Sequence, residues 1–264
     1  MTRLSCRRAL ELKATLQETR AEVYTPADAG YAERIRCLEL SEVESGAIVQ
    51  ATTTDEVSRV LRYATHHHIP IIVHGGAFAT TNPPEGEASI VISLVRMGKV
   101  VVDPASRTLA AQGGARWEDL VGVAGAFGLT VVSATGDDTT GDGGLEGSGW
   151  LTSCPGPIID NLVSVKMVLA DGSIVTTSST EKPDLFWALQ QAGGALGLAT
   201  ELVFRVYPKS RQQGVSKNHQ DGGPKFGLED SGEDDLPRLQ KLKKQYDPYG
   251  LFGSLDSTSL DTRK

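Results

Sequence analysis

Cysteine is scarce, and what there is has no pattern. The three cysteines of this 264-residue chain, Cys6, Cys37 and Cys154, are far apart and odd in number. They form neither a metal-ligand spacing nor a disulfide framework, so a reduced, intracellular protein is the simplest reading. No apolar run approaches the ~20 residues of a membrane span. The first residues, Met1 to Gln17, lack the apolar core of ~7–15 residues that a secretory leader needs, and the expected compartment is the cytoplasm. Positive charge is also in deficit. Lys and Arg number 26 against 33 Asp and Glu, a net charge of -7, where a nucleic-acid binder would show a basic face. No G-x-G-x-x-G is present, so a Rossmann dinucleotide site is not supported.

What the chain does have is ordinary globular composition, with 39% hydrophobic and 22% charged residues, and an unusual arrangement of glycine. The stretch Pro70-Ile-Ile-Val-His-Gly-Gly-Ala-Phe78 reads as a buried strand, Ile71 to Val73, running into a glycine turn. Gly75 and Gly76 have no Cβ, so their N–H groups can come close to a ligand. Successive N–H groups in such a turn form a concave anion site suited to a pyrophosphate. A simple loop is the alternative. A second stretch, Thr135 to Trp150, is too rich in glycine for a strand or helix interior. It reads as a loop that hugs a ligand or as a flexible linker.

Around these stretches strands and helices alternate, which points to an α+β sheet domain. A helix is expected around Ala9 to Thr19, followed by a short run, Glu22 to Pro26, and an irregular run to Leu40. Gly46 to Gln50 reads as a strand. Thr53-Thr-Asp-Glu56 fits a capping box, and Val57, Val60, Leu61 and Ala64 then share one helical face. That helix ends at His66-His67-His68. Consecutive residues point in different directions around a helix and cations suit its C-terminus, so the histidines read as a solvated helix end and not as a metal site. Strands follow at Ser89 to Val95, Lys99 to Asp103 and Thr108 to Gly113, then a helix from Trp117 to Phe127 with Gly128 after it, and a strand from Leu129 to Val132. Asp160 to Ala170 and Ile174 to Thr177, joined by Asp171-Gly172, form the strongest hairpin signal. Pro183 opens a helix that Gly193-Gly194 ends, and Leu196 to Tyr207 reads as the last strand. Residues 211–235 carry too few large apolar side chains to fold. Leu236, Leu239 and Leu242 mark a terminal helix that breaks at Asp247-Pro248.

Four of these stretches, in this order, resemble the FAD-linked oxidases of the vanillyl-alcohol-oxidase/PCMH superfamily, in particular its berberine-bridge-enzyme-like members of fungi. They are Val73-His-Gly-Gly-Ala-Phe78, Gly141-Asp-Gly-Gly-Leu145, Ile159 to Gly172 and Pro183-Asp-Leu-Phe-Trp-Ala-Leu189. The family's runs are V-R-G-G-G-H, G-V-G-G-L, I-D-N-L-x-S-V-x-V-V-x-A-D-G and P-D-L-F-W-A. The resemblance spans residues 20–208 and implies a PCMH-type FAD-binding fold of two α/β subdomains. Its implied organisation is an N-terminal lead-in (1–42), the FAD-binding domain (43–209), a disordered linker (210–235) and a C-terminal return helix and tail (236–264). The cofactor-lining positions it implies are His74, Gly75, Gly76, Ala77, Phe78, Thr135, Gly136, Gly141, Gly143, Gly144, Gly156, Ile159, Asp160 and Asn161.

The departures from the family pattern matter as much. Phe78 stands where the family carries the histidine that tethers flavin, and Cys154 is not at the position of the second, cysteinyl tether, so FAD is expected to be non-covalent. His74 replaces an arginine and Ala77 a glycine. Asp142 and Glu146 bring negative charge to the second loop, which is unfavourable near a diphosphate. The family's substrate cap is largely missing, replaced by the short run before Leu239 to Phe252, which resembles the family's C-terminal return segment. Two functions are implied. One is hydride transfer from a small organic substrate to FAD with reoxidation by O2, in fungal secondary metabolism, with His74 and Tyr246 as weak candidate bases and no catalytic residue assigned. The other is a non-redox pseudoenzyme or scaffold of the same fold. An uncapped sheet face would favour homo-oligomers.

Overall fold

The computed structural model describes residues 4–37, 45–75, 78–79, 88–131, 161–209, 235–253 and 255. Two sheets organise them. The first has the order β1-β2-β5-β3-β4, with β1 (Glu22–Tyr24), β2 (Ser45–Gln50), β3 (Ile71–Gly75), β4 (Phe78–Ala79) and β5 (Ser89–Ser93). β5 lies parallel to both β2 and β3, between them, while β1 and β4 pair antiparallel at the two edges. The continuous Ile and Val of β3 and β5 fit this central position, because such strands are buried on both faces.

One face of this sheet is covered by α1 (Cys6–Thr15) and α3 (Thr54–His67), and Leu12, Leu16, Val57, Val60 and Leu61 are buried against Val49, Ile71, Ile90 and Ile92. The opposite face carries Ile48, Ile72 and Val91 under Tyr24 and under Tyr31 and Ile35 of α2 (Tyr31–Cys37). The expected capping box is present. Thr53 Oγ1 accepts from the Glu56 N–H at 3.2 Å, and Glu56 accepts in return from the Thr53 N–H at 3.1 Å. His68 closes the helix in the left-handed region, with His66 and His68 exposed. No cluster of metal-ligating side chains exists among the described residues.

Sequence and structure differ at the N-terminal end. The first helix begins earlier than expected, at Cys6, because Ser5 caps it, and it stops at Thr15. The run from Pro26 to Leu40, expected to be irregular, contains α2, and Glu22 to Tyr24 joins the sheet as β1.

The second sheet is antiparallel, in the order β10-β9-β11-β7-β6. It comprises β6 (Val100–Asp103), β7 (Thr108–Gln112), β9 (Leu162–Val168), β10 (Ile174–Ser178) and β11 (Leu198–Pro208), with β8 (Leu129–Val131) pairing to the end of β11. The Asp171-Gly172 hairpin joins β9 to β10 as expected, with Gly172 at φ +80°. Three helices pack on one face: α4 (Trp117–Ala126), α5 (Pro183–Ala192) and α6 (Asp235–Tyr246). Gly128 follows α4 at φ +67°, as a residue just past a helix end should. Leu239 and Leu242 of α6 enter this second core, whereas Leu251 and Phe252 just beyond it enter the first. The C-terminal segment therefore straps the two cores together. No described helix is long and apolar enough to cross a membrane.

Candidate functional site

The parallel strands β2, β5 and β3 point the same way, so their carboxyl ends form a common edge, and ligands of open α/β sheets gather outside such an edge. The last residues of these strands are polar and lie side by side: Gln50 is paired with Ser93, and Ser93 with His74. All three are buried. Each offers hydrogen bonds without a fixed negative charge at neutral pH, which suits the approach of a phosphate-bearing group. The backbone ties the edge together, with the Ala51 N–H donating to Ser93 O at 3.0 Å and the Leu94 N–H to His74 O at 2.8 Å.

Glycine lets the second sheet come up against this edge. A Cβ on Gly75 would lie 3.2 Å from the Gly113 carbonyl oxygen. One on Gly113 would lie 2.6 Å from Ala199 O, and one on Gly114 would overlap Leu94 O at 1.8 Å. The Gly114 N–H donates to Met97 O at 2.9 Å, and the Gly113 N–H to Thr200 O at 3.0 Å. Three glycines thus form a wall where the two sheets meet, and the backbones pack this closely only because no side chain projects between them.

Of the expected site residues, His74, Gly75 and Phe78 are brought together. Phe78 lies on β4 directly opposite Gly75. Asn161 stands just ahead of β9, its side-chain oxygen accepting from the Tyr207 hydroxyl at 2.5 Å and its carbonyl from the Arg205 N–H at 2.8 Å. Gly76, Ala77, Thr135, Gly136, Gly141, Gly143, Gly144, Gly156, Ile159 and Asp160 lie outside the described residues, as do Asp142, Glu146 and Cys154. Gln50, Ser93, Gly113, Gly114 and Thr200 were missed. The signal for two of them was available: Gly113-Gly114 follows a strand just as Gly75-Gly76 does.

Tyr246 packs its ring against the second core, and burial, reinforced by Asp184, raises its phenol pKa. A group so placed serves as the apolar end of α6 and is a poor base at neutral pH.

Glu56 braces the edge from below. Its carboxylate accepts from the N–H groups of Thr52 at 2.6 Å and Arg20 at 2.9 Å, in addition to Thr53, and from the Thr52 hydroxyl at 3.0 Å. Burial alone would raise its pKa, and these donors outweigh that and lower it.

Comparison with known proteins agrees with this construction. Residues 45–178 match the family described as FAD binding domain, and the chain belongs to that family. The FAD-linked oxidoreductase pgmH of Aspergillus terreus is 35% identical over 163 residues, covering 61% of this chain and 33% of that protein. (R)-6-hydroxynicotine oxidase of Paenarthrobacter nicotinovorans is 28% identical, covering 75% of this chain and 44% of its own. The crystal structure of 6-hydroxy-D-nicotine oxidase from Arthrobacter nicotinovorans superposes with a TM-score of 0.59 at 27% identity, over 74% of this chain and 44% of that one. The chain spans between a third and a half of these relatives' length. The fold is accordingly the PCMH-type α+β FAD-binding fold.

The described residues fit FAD. Gly75 ends β3 without a side chain, which allows the close backbone approach that a dinucleotide needs, and the polar ends of β2, β5 and β3 bring no carboxylate to meet its phosphates.

Proposed function

We propose that this chain is the cofactor-holding part of an FAD-dependent oxidoreductase that acts on a small organic substrate, in fungal secondary metabolism, and that it holds FAD without a covalent bond. Bound FAD would supply hydride acceptance from a substrate C–H and reoxidation by O2. The work of this chain's residues is to bind and orient. Gly75, without a side chain at the end of β3, lets the diphosphate approach the backbone, Gly113 backs it from the second sheet, and Gln50, Ser93 and His74 line the edge from which it is approached. The relatives named FAD-linked oxidoreductases support the reaction class.

The observation that carries the non-covalent reading is Phe78. It pairs with Gly75 at the edge of the first sheet, and a phenyl ring offers no nucleophile to a flavin. The visible absorption spectrum of the purified protein, taken before and after acid precipitation, tests the reading. Flavin bands that pass into the supernatant are expected. Bands that stay with the pellet would overturn non-covalent binding. A colourless protein that fails to take up added FAD would favour the scaffold reading over the redox one.

A further inference from the structure

Thr200 lies where the two sheets meet, and its surroundings are too specific for a core filler. It is fully buried on β11, at a register shift between Ala199 and Glu201 where β11 pairs with β9. Such an irregularity re-aims a side chain, and here the side chain is aimed at the first sheet's helix. The Thr54 hydroxyl, on the opening residue of α3, donates to Thr200 Oγ1 at 3.0 Å. The Thr200 hydroxyl in turn donates to Lys166 O at 3.2 Å. A hydroxyl has one proton to give, so the direction of this relay is fixed: Thr54 to Thr200 to the β9 backbone. The Thr200 carbonyl meanwhile accepts from the Gly113 N–H at 3.0 Å. Gly113 is the residue whose carbonyl oxygen stands 3.2 Å from where a Gly75 Cβ would be.

One residue therefore connects the start of α3, the β9 backbone and the glycine wall facing Gly75. We infer that Thr200 is a positioning residue for the dinucleotide. It does not contact the cofactor but, through Gly113, fixes the second-sheet backbone against which Gly75 packs, and so the place of the Gly75 backbone that the cofactor meets. Loss of the hydroxyl removes the bond that holds the start of α3 to β11 beside Gly113, and the seam between Gly75 and Gly113 loses its fixed register. This rests on the FAD reading above.

The test measures FAD affinity by quenching of flavin fluorescence, alongside the melting temperature of the cofactor-free protein. Thr200→Val keeps the shape of the side chain and removes both hydroxyl bonds, while Thr200→Ser keeps them. Thr177 is the control, a fully buried threonine of the same sheet whose hydroxyl bonds Lys182 O at 3.0 Å. Thr200→Val is expected to weaken FAD binding about tenfold, the scale of one lost hydrogen bond. Thr200→Ser and Thr177→Val should stay within about twofold of wild type, although Thr177→Val lowers the melting temperature. If Thr200→Val fails to fold, Thr54→Val removes only the incoming bond and is expected to weaken FAD in the same direction. Wild-type affinity in the Thr200 and Thr54 valine variants, or equal weakening by Thr177→Val, would overturn the inference while leaving the FAD reading intact. Wild-type protein that binds no FAD would overturn both.

Discussion

Glu56 shows how one buried carboxylate can organise a segment. It closes the capping box of α3, and it also gathers the N–H groups of Arg20 and Thr52. Because its folded pKa is depressed, its contribution to stability is fully present above the unfolded value, near 4.5, and is lost as pH falls through the folded value. Glu56→Gln is expected to cost about 2 kcal/mol at neutral pH, since an amide oxygen accepts fewer and weaker bonds than a carboxylate. It should also flatten the acid limb of the stability curve, and urea denaturation at a series of pH values between neutrality and acid checks both effects. A variant with the wild-type acid limb would show that another group controls it. The capping box itself was legible from Thr53 and Glu56 alone. Arg20 as a partner was not, because nothing local relates positions 36 residues apart.

At the scale of elements, legibility followed the strength of local chemistry. The strand into Gly75, the Asp171-Gly172 hairpin and the proline-started α5 each carry a backbone constraint that leaves little alternative. α2 does not. It has seven residues, buries none of them fully, and shows only Tyr31 and Ile35 toward the sheet, which is too little periodicity to read. β1 is three half-buried residues that become a strand only because β2 is beside them. In the site, Gly75 was legible as chemistry and Gly113-Gly114 carried the same signal unread, whereas Gln50, Ser93 and Thr200 acquire their places from register and from a local irregularity in β11.

The C-terminal segment was legible as a helix but not as a strap. Asp247, buried at its turn, accepts from the Leu251 N–H at 2.8 Å, the Phe252 N–H at 2.9 Å and Lys243 Nζ at 2.5 Å. Lys243 also donates to Ala195 O at 2.6 Å, and burial lowers its pKa against the pull of Asp247. Asp247→Ala leaves a half-buried ammonium without its counter-charge and two buried N–H groups without their acceptor. It is expected to cost about 3 kcal/mol, read as a lower urea midpoint with an unchanged slope. A shift within error would mean that the turn holds without its carboxylate.

The whole molecule is two cores. The buried residues of the first run from Leu4 to Met97 and include Val168, Ala170 and Leu198 from the second sheet and its hairpin, then Leu251 and Phe252, and those of the second run from Leu109 to Leu242 of α6. Between them run the glycine wall, the Thr54–Thr200 bond and the contacts of α3 with the β9–β10 turn, where the Ser58 hydroxyl donates to Gly172 O at 2.5 Å and the Thr65 hydroxyl to Ala170 O. A site on this seam is shaped by both sheets at once, so FAD binding and the joining of the cores are expected to be coupled.

The position of β5 also dictates a sequence of events in time. β2 and β3 are consecutive strands joined by α3, yet they do not touch, because β5 occupies the slot between them and comes later in the chain. The unit from β2 to β3 therefore has a vacant centre until β5 arrives, and its helix covers strands that cannot yet pair. Entry of β5 is then the step that commits the first sheet, and Ile90 and Ile92 should be in place at the summit of the folding barrier. Ile90→Val is expected to slow refolding about as much as it lowers stability, with unfolding nearly unchanged. A chevron in which the unfolding arm carries the loss would instead put β5 entry after the barrier.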